Sequence, residues 1–187
     1  MLIVRELLAG PRRYTDLHAD LPGVSTDVLA ARLKEMERDG LVTHRRLPPP
    51  SAAAVYELAP RGRDLLPALT ALADWGAAGL AEPRPTDALR AHWLALPLMR
   101  RLAELAPLCA GVVNVQLDDG AFHIVLSDAG PSYGHGPAER PDAGLTLDAR
   151  GCLAVLRGEA SLRELIKTGQ ARVDGDSALA QALRSQC

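Results

Sequence analysis

Apolar residues repeat at helical spacing through the first eighty positions, and the pattern turns mixed afterwards. Ile3, Val4, Leu7 and Leu8 form an i, i+1, i+4, i+5 stripe, which predicts a helix. Gly10-Pro11 supplies its stop. Thr15 is expected to cap a short second helix carrying Leu17 and Leu21, and Pro22-Gly23 to turn the chain. Ser25 or Thr26 caps a third helix that ends at Asp39-Gly40. A two-stranded hairpin follows up to Leu58, with the run Pro48–Ala54 as its loop. Leu65, Leu69, Leu72 and Trp75 then trace another apolar helix stripe; Pro67 falls inside it, so this helix is kinked there or starts later.

The second half reads differently. Gly79–Asp87, with two prolines flanked by charge, predicts a linker, and hence domains at 1–80 and 81–187. Asp87–Ala106 is a helical run with Leu89, Trp93, Leu96 and Met99 inward and Pro97 as a break. Val113, Val115 and Leu117 alternate, Asp118-Asp119-Gly120 turns, and Phe122, Ile124 and Leu126 alternate on the return, which is a hairpin. Asp128–Pro141 is rich in Gly and Pro and reads as a loop. Leu145 and Leu147 mark a short strand, Leu153–Leu156 and Leu162–Ile166 short helices, Ala171–Asp174 a last strand and Ser177–Leu183 a closing helix. The fold class is α+β.

Three helices followed by a hairpin is the layout of a winged helix-turn-helix, whose third helix enters the DNA major groove. At about 100° per residue, Leu29, Leu33 and Met36 share one face of that helix. The opposite face holds Asp27, Ala30, Ala31, Lys34 and Arg38. Base contacts are therefore expected from Thr26, Asp27, Ala30, Ala31 and Lys34, with Ser25 at the cap among the DNA-contacting residues. Arg32, on the flank, suits a phosphate or a structural ion pair. The competing reading of this face is an ordinary solvated one.

Charge changes the picture. Residues 1–79 hold ten basic and ten acidic side chains, so the first domain is neutral, and the whole chain carries −2. The basic residues cluster, however, at Arg12-Arg13, at Arg45-Arg46 in the hairpin and at Arg61/Arg63. Local neutralisation of phosphates, not the domain total, sets DNA affinity. At 48% hydrophobic and 3% aromatic, the 187-residue chain builds its cores from Leu, Val and Ala. It has no apolar run of the roughly 18 residues that would suggest a membrane span. Cys109, Cys152 and Cys187 are widely spaced, which fits free thiols in a reducing cytoplasm. His18, His44, His92, His123 and His135 show no metal-binding spacing, and no metal or cofactor is expected. A nucleophile pair of Cys109 or Cys152 with His123 is the one catalytic arrangement to weigh, and the expectation is a non-enzyme.

The segments IVRELLAGPRRYTDL, LPGVSTDVLAARLKEMERDGLV and VYELAPRGRDL resemble the HxlR-type branch of the MarR-like winged-helix regulators, from Met1 to about Leu80. The resemblance implies a dimeric, DNA-binding transcription factor, often a repressor. In a winged helix, the Arg12-Arg13, Arg45-Arg46 and Arg61/Arg63 clusters occupy phosphate-facing places. Family members carry a further helix, and half of the next, before the position of Leu2; the cysteine of oxidant-sensing members falls there, so redox sensing is not expected. From Asp87 to Cys187, the run LTLDARGCLAVLRGEASLRELIKTGQARVDGD resembles the sterol-carrier-protein-type domain. That implies an α+β domain with an apolar tunnel for a hydrophobic small molecule. Trp93, Phe122, Ile124, Leu153 and Leu156 are the candidate ligand contacts, each with a plain core role as the alternative. The loop at Asp128–Pro141 departs from this family, which has a regular strand there. The expected whole is a cytoplasmic, homodimeric regulator that binds double-stranded DNA and a hydrophobic effector. The alternatives are a small-molecule sequestering or carrier protein that uses the head only as a dimer scaffold, and an enzyme using the tunnel.

Overall fold

The computed structural model describes residues 1–77, 90–105 and 109–186. The chain divides into two compact units, Met1–Leu69 and Thr70–Cys187. The expected linker Gly79–Asp87, with its boundary after residue 80, lies outside the described residues.

In the first unit, α1 (Leu2–Leu8), α2 (Tyr14–Asp20) and α3 (Thr26–Arg38) precede a hairpin of β1 (Val42–Arg46) and β2 (Ala54–Leu58). Gly10 ends α1 at φ +122°, a region that a side chain rarely tolerates. Thr15 does not cap α2: Arg13 takes the N-cap position without a side-chain hydrogen bond, and Thr15 lies within the first turn. Ser25 caps α3, its hydroxyl accepting from the Val28 N–H at 3.4 Å. At the other end, Leu41 N–H donates to the Met36 carbonyl (2.9 Å) and Gly40 N–H to Glu37 (3.1 Å), with Gly40 at φ +70°. These two bonds make a Schellman motif that satisfies carbonyls the helix leaves open. Arg12 pairs with Tyr56 through two backbone hydrogen bonds of 2.8 and 2.9 Å, tying the α1–α2 connection to the hairpin. Val4, Leu7, Leu17, Leu29, Leu33, Val42, Val55 and Leu58 form the core, while Met36 is half-buried. After the hairpin, α4 (Pro60–Arg63) ends in a turn and α5 (Leu66–Ala77), which runs across the division between the two units, begins afresh, so Pro67 occupies a first-turn position where its missing N–H costs nothing.

In the second unit a 3-10 turn (Ala91–Leu94) leads into α6 (Ala95–Ala103). Pro97 is therefore no break; it too sits in a first helical turn, and the change of helix type precedes it. Then come β3 (Gly111–Leu117), β4 (Gly120–Leu126), β5 (Ser132–His135), β6 (Ala143–Leu147), α7 (Ala149–Leu156), α8 (Leu162–Lys167), β7 (Ala171–Asp174) and α9 (Ala178–Gln186). The sheet order is β5-β4-β3-β6-β7, with β3 and β6 parallel and the other pairs antiparallel. The expected loop at Asp128–Pro141 thus contains an edge strand, β5, despite its glycine and prolines, and the supposed departure disappears. Register puts Val113 opposite Ile124 and Ala143, and Val115 opposite Phe122 and Leu145, so these side chains share one buried face. Helices α6, α8 and α9 pack on the sheet. Asp148 caps α7 by accepting from Gly151 N–H at 2.6 Å. Ser161 and Glu164 form a capping box on α8 that holds the Glu164 carboxyl below its ordinary pKa.

Gly62 in α4 lies so close to the α3–β1 connection that a Cβ there would stand 2.2 Å from the Leu41 carbonyl oxygen. Gly62→Ala is expected to destabilise the first unit by about 1–3 kcal/mol through overpacking. Hydrogen exchange of the α3 and β1 amides reads this directly, and unchanged protection there would contradict the packing.

Candidate nucleic-acid interface and ligand-binding domain

Burial of Leu29 and Leu33 turns the other face of α3 outward. Thr26, Asp27, Ala30, Ala31 and Lys34 are all exposed there, and Ser25 is exposed at the cap. The Thr26 carbonyl accepts from the Tyr14 hydroxyl at 2.7 Å, which fixes the start of α3 against α2. Arg13 is exposed at the start of α2, and Arg46 at the end of β1.

The other expected contacts are engaged within the unit. Arg12 is largely buried and forms an ion pair with Asp20. Arg32 makes its ion pair with Glu35 at 2.5 Å, on the helix surface. Arg45 binds Glu57 through two parallel bonds, Nε to Oε1 at 2.8 Å and Nη2 to Oε2 at 2.9 Å. Those bonds hold the Glu57 carboxyl below its usual range and raise the Arg45 guanidinium further. Arg38 pairs with Asp39 at 3.1 Å, and Arg61 donates to the Asp39 carbonyl at 3.1 Å, near the end of α3. The neutral total of the first domain thus has a partial structural form: Arg5, Arg12, Arg32, Arg38 and Arg45, five of its ten cations, are matched with neighbouring carboxylates. His44 stacks on Tyr56 at 4.4 Å across the hairpin. Sequence reasoning missed Glu57, Tyr14 and Val28. Val28 alone had a usable signal: it lies about 100° around α3 from Leu29, off the buried stripe, and it is 52% exposed.

Among the expected ligand contacts, Phe122 and Ile124 are fully buried on the helix-covered face of β4, and Leu153 is buried on α7. Trp93 and Leu156 are half-buried. The 3-10 turn carrying Trp93 meets β4, and α7 meets α6. An open groove of about 510 Å³ lies elsewhere, edged by Asp118, Asp148, Gln170 and Arg172, and none of the five lines it. Its two carboxylates are occupied with the start of α7, Asp118 accepting from Ala149 N–H at 2.9 Å and Asp148 from Gly151 N–H.

Comparison with known proteins follows the same division. Residues 1–83 match the family described as HxlR-like helix-turn-helix, and residues 94–186 the SCP-2 sterol transfer family. The uncharacterized HTH-type transcriptional regulator YvaP of Bacillus subtilis is 38% identical over 74 residues, covering 40% of this chain and 68% of its own length. The chain belongs to the HxlR-like helix-turn-helix family. The HTH-type transcriptional regulator YodB of Bacillus subtilis is 32% identical over 74 residues, 40% of this chain and 66% of YodB. A third such regulator, sll1512 of Synechocystis, is spanned over 58% of its length, so this chain covers roughly three-fifths to two-thirds of these relatives. Among solved structures, the reduced form of YodB aligns with 40% of this chain and 74% of that one, at 31% identity and a TM-score of 0.37. Apo sterol carrier protein 2 from Yarrowia lipolytica aligns with 46% and 73%, at 21% identity and a TM-score of 0.37. The HxlR-like head is thus joined in one chain to an SCP-2-type domain. No helix among the described residues is long and apolar enough to cross a membrane.

The Cys–His arrangement does not gain from this geometry. Cys152 is fully buried, and desolvation, aided by the nearby Asp148 charge, pushes its thiol pKa up to about 12, the opposite of an activated nucleophile. His123 has Nδ1 2.9 Å from the Gly136 carbonyl oxygen. Cys152 is expected to resist alkylation at pH 8 in the folded chain and to react after denaturation. Because its folded pKa exceeds the ordinary 9.0, ionisation favours the unfolded chain, and stability falls as pH rises from about 9 toward about 12. Mass spectrometry of alkylated protein checks the first point, and rapid labelling of the native thiol would contradict it.

Proposed function

We propose that this chain is a DNA-binding transcriptional regulator, a repressor, whose SCP-2-type domain binds a hydrophobic small-molecule effector. The observation that carries the reading is the exposed face of α3, in one compact unit with a hairpin. In this reading Ser25, Thr26, Asp27, Ala30, Ala31 and Lys34 face the major groove, while Arg13, Arg46 and the outer edge of Arg45 meet phosphates. Arg12 serves the fold through Asp20, and Arg32 reaches a phosphate only by leaving Glu35. Leu72 (50% exposed) and Trp75 (81%) on α5 support a homodimer, because an apolar helix face in water favours a partner surface. A dimer would read a palindromic operator. In the SCP-2-type domain, Trp93 and Leu156 are the half-buried candidates for ligand contact, with Phe122, Ile124 and Leu153 behind them. An effector controls DNA binding only if it prefers one state of the protein.

A second reading, a sequestering or carrier protein with the head as a dimer scaffold, is favoured by one observation: half of the head's ten cations are already paired with carboxylates. A salt series separates the two. Under the regulator reading, affinity for the gene's own upstream DNA exceeds that for random DNA and falls steeply with salt. Arg46→Ala then weakens binding to all sequences and lowers the salt slope by about one. Absence of any DNA affinity at low salt would favour the carrier.

A further inference from the structure

We propose that Val28, with Ala31 one turn further along α3, sets the base preference of the head by docking against the 5-methyl groups of thymine. The proposal rests on the reading of the first unit as DNA-binding. Val28 follows Asp27 in the first turn of α3, the part of such a helix that meets base edges. The Ser25 hydroxyl holds its backbone N–H, and it precedes the buried Leu29, so its direction out of the core is fixed. It is nevertheless 52% exposed. A β-branched residue there contributes neither core burial nor high helix propensity. Ala31, three residues on and therefore beside it, is exposed too, as is Ala30.

The polar competition on this helix is thin. The long donors Arg32 and Arg38 are held by Glu35 and Asp39. What α3 offers between its cap and Lys34 is mainly methyl groups, with Asp27 as an acceptor. The apolar feature of the major groove is the thymine 5-methyl, and a carboxylate suits the cytosine amino group beside it. A surface of this composition reads thymine through contact rather than hydrogen bonding.

The test selects DNA sequences from a random duplex library with the full chain, then replaces each thymine of the selected site by uracil, which removes only the methyl. Expected is a loss of about fourfold at one thymine or more in each half-site, the effect of one buried methyl. Val28→Ala is expected to weaken that discrimination without lowering the melting temperature or the affinity for random DNA. Equal binding of thymine and uracil sites by the natural chain overturns the proposal, as does Val28→Ala retaining full discrimination. If no sequence is enriched at all, the DNA-binding reading itself falls and takes this inference with it.

Discussion

The head depends on the burial of two leucines, Leu29 and Leu33, on one side of α3. Once they are committed to the core, helical geometry leaves no freedom over what faces outward. The caps at Ser25 and Gly40 fix where the helix starts and stops, and Tyr14 fixes its entry against α2. The exposed face is therefore a rigid element, the kind of scaffold on which a recognition surface keeps its geometry. The backbone pairing of Arg12 with Tyr56 ties the hairpin to the same core.

Electrostatics gives that surface its character. Arg12, Arg32, Arg38 and Arg45 each have a carboxylate partner in the first unit. The exposed pairs of Arg32, Arg38 and Arg45 add little stability, because water and salt screen them. Their larger effect is on binding, since a phosphate must compete with a carboxylate already in place. Under the DNA-binding reading, affinity then comes from fewer free cations, and the proposed apolar contact carries more of the discrimination.

Much of the fold was legible from periodicity. The alternation Val113-Val115-Leu117 and Phe122-Ile124-Leu126, with Asp118-Asp119 between, became a hairpin with all six side chains buried. Gly40 and Ser25 marked the ends of α3 because their chemistry is local. Two of the failures share a cause: they depend on partners distant in sequence. Strand β5 (Ser-Tyr-Gly-His) has no alternating apolar pattern and exists because β4 offers it a paired edge. The bond between Arg45 and Glu57 depends on hairpin register, which no spacing rule supplied. Glu6, buried beside Arg5, interrupts the α1 stripe without any sign in the pattern. In the second unit, three of the five side chains expected at a ligand surface, Phe122, Ile124 and Leu153, are buried, as bulky apolar residues on covered faces usually are.

The account stands or falls on coupling between the two domains. The direct measurement is the affinity of the full chain for its selected DNA with and without a saturating fluorescent long-chain fatty acid, a hydrophobic probe for the SCP-2-type domain. Coupling predicts at least about a fivefold change in DNA affinity, and an equal change in fatty-acid affinity when DNA is bound. A chain that binds the fatty acid and holds DNA with unchanged affinity would contradict the account.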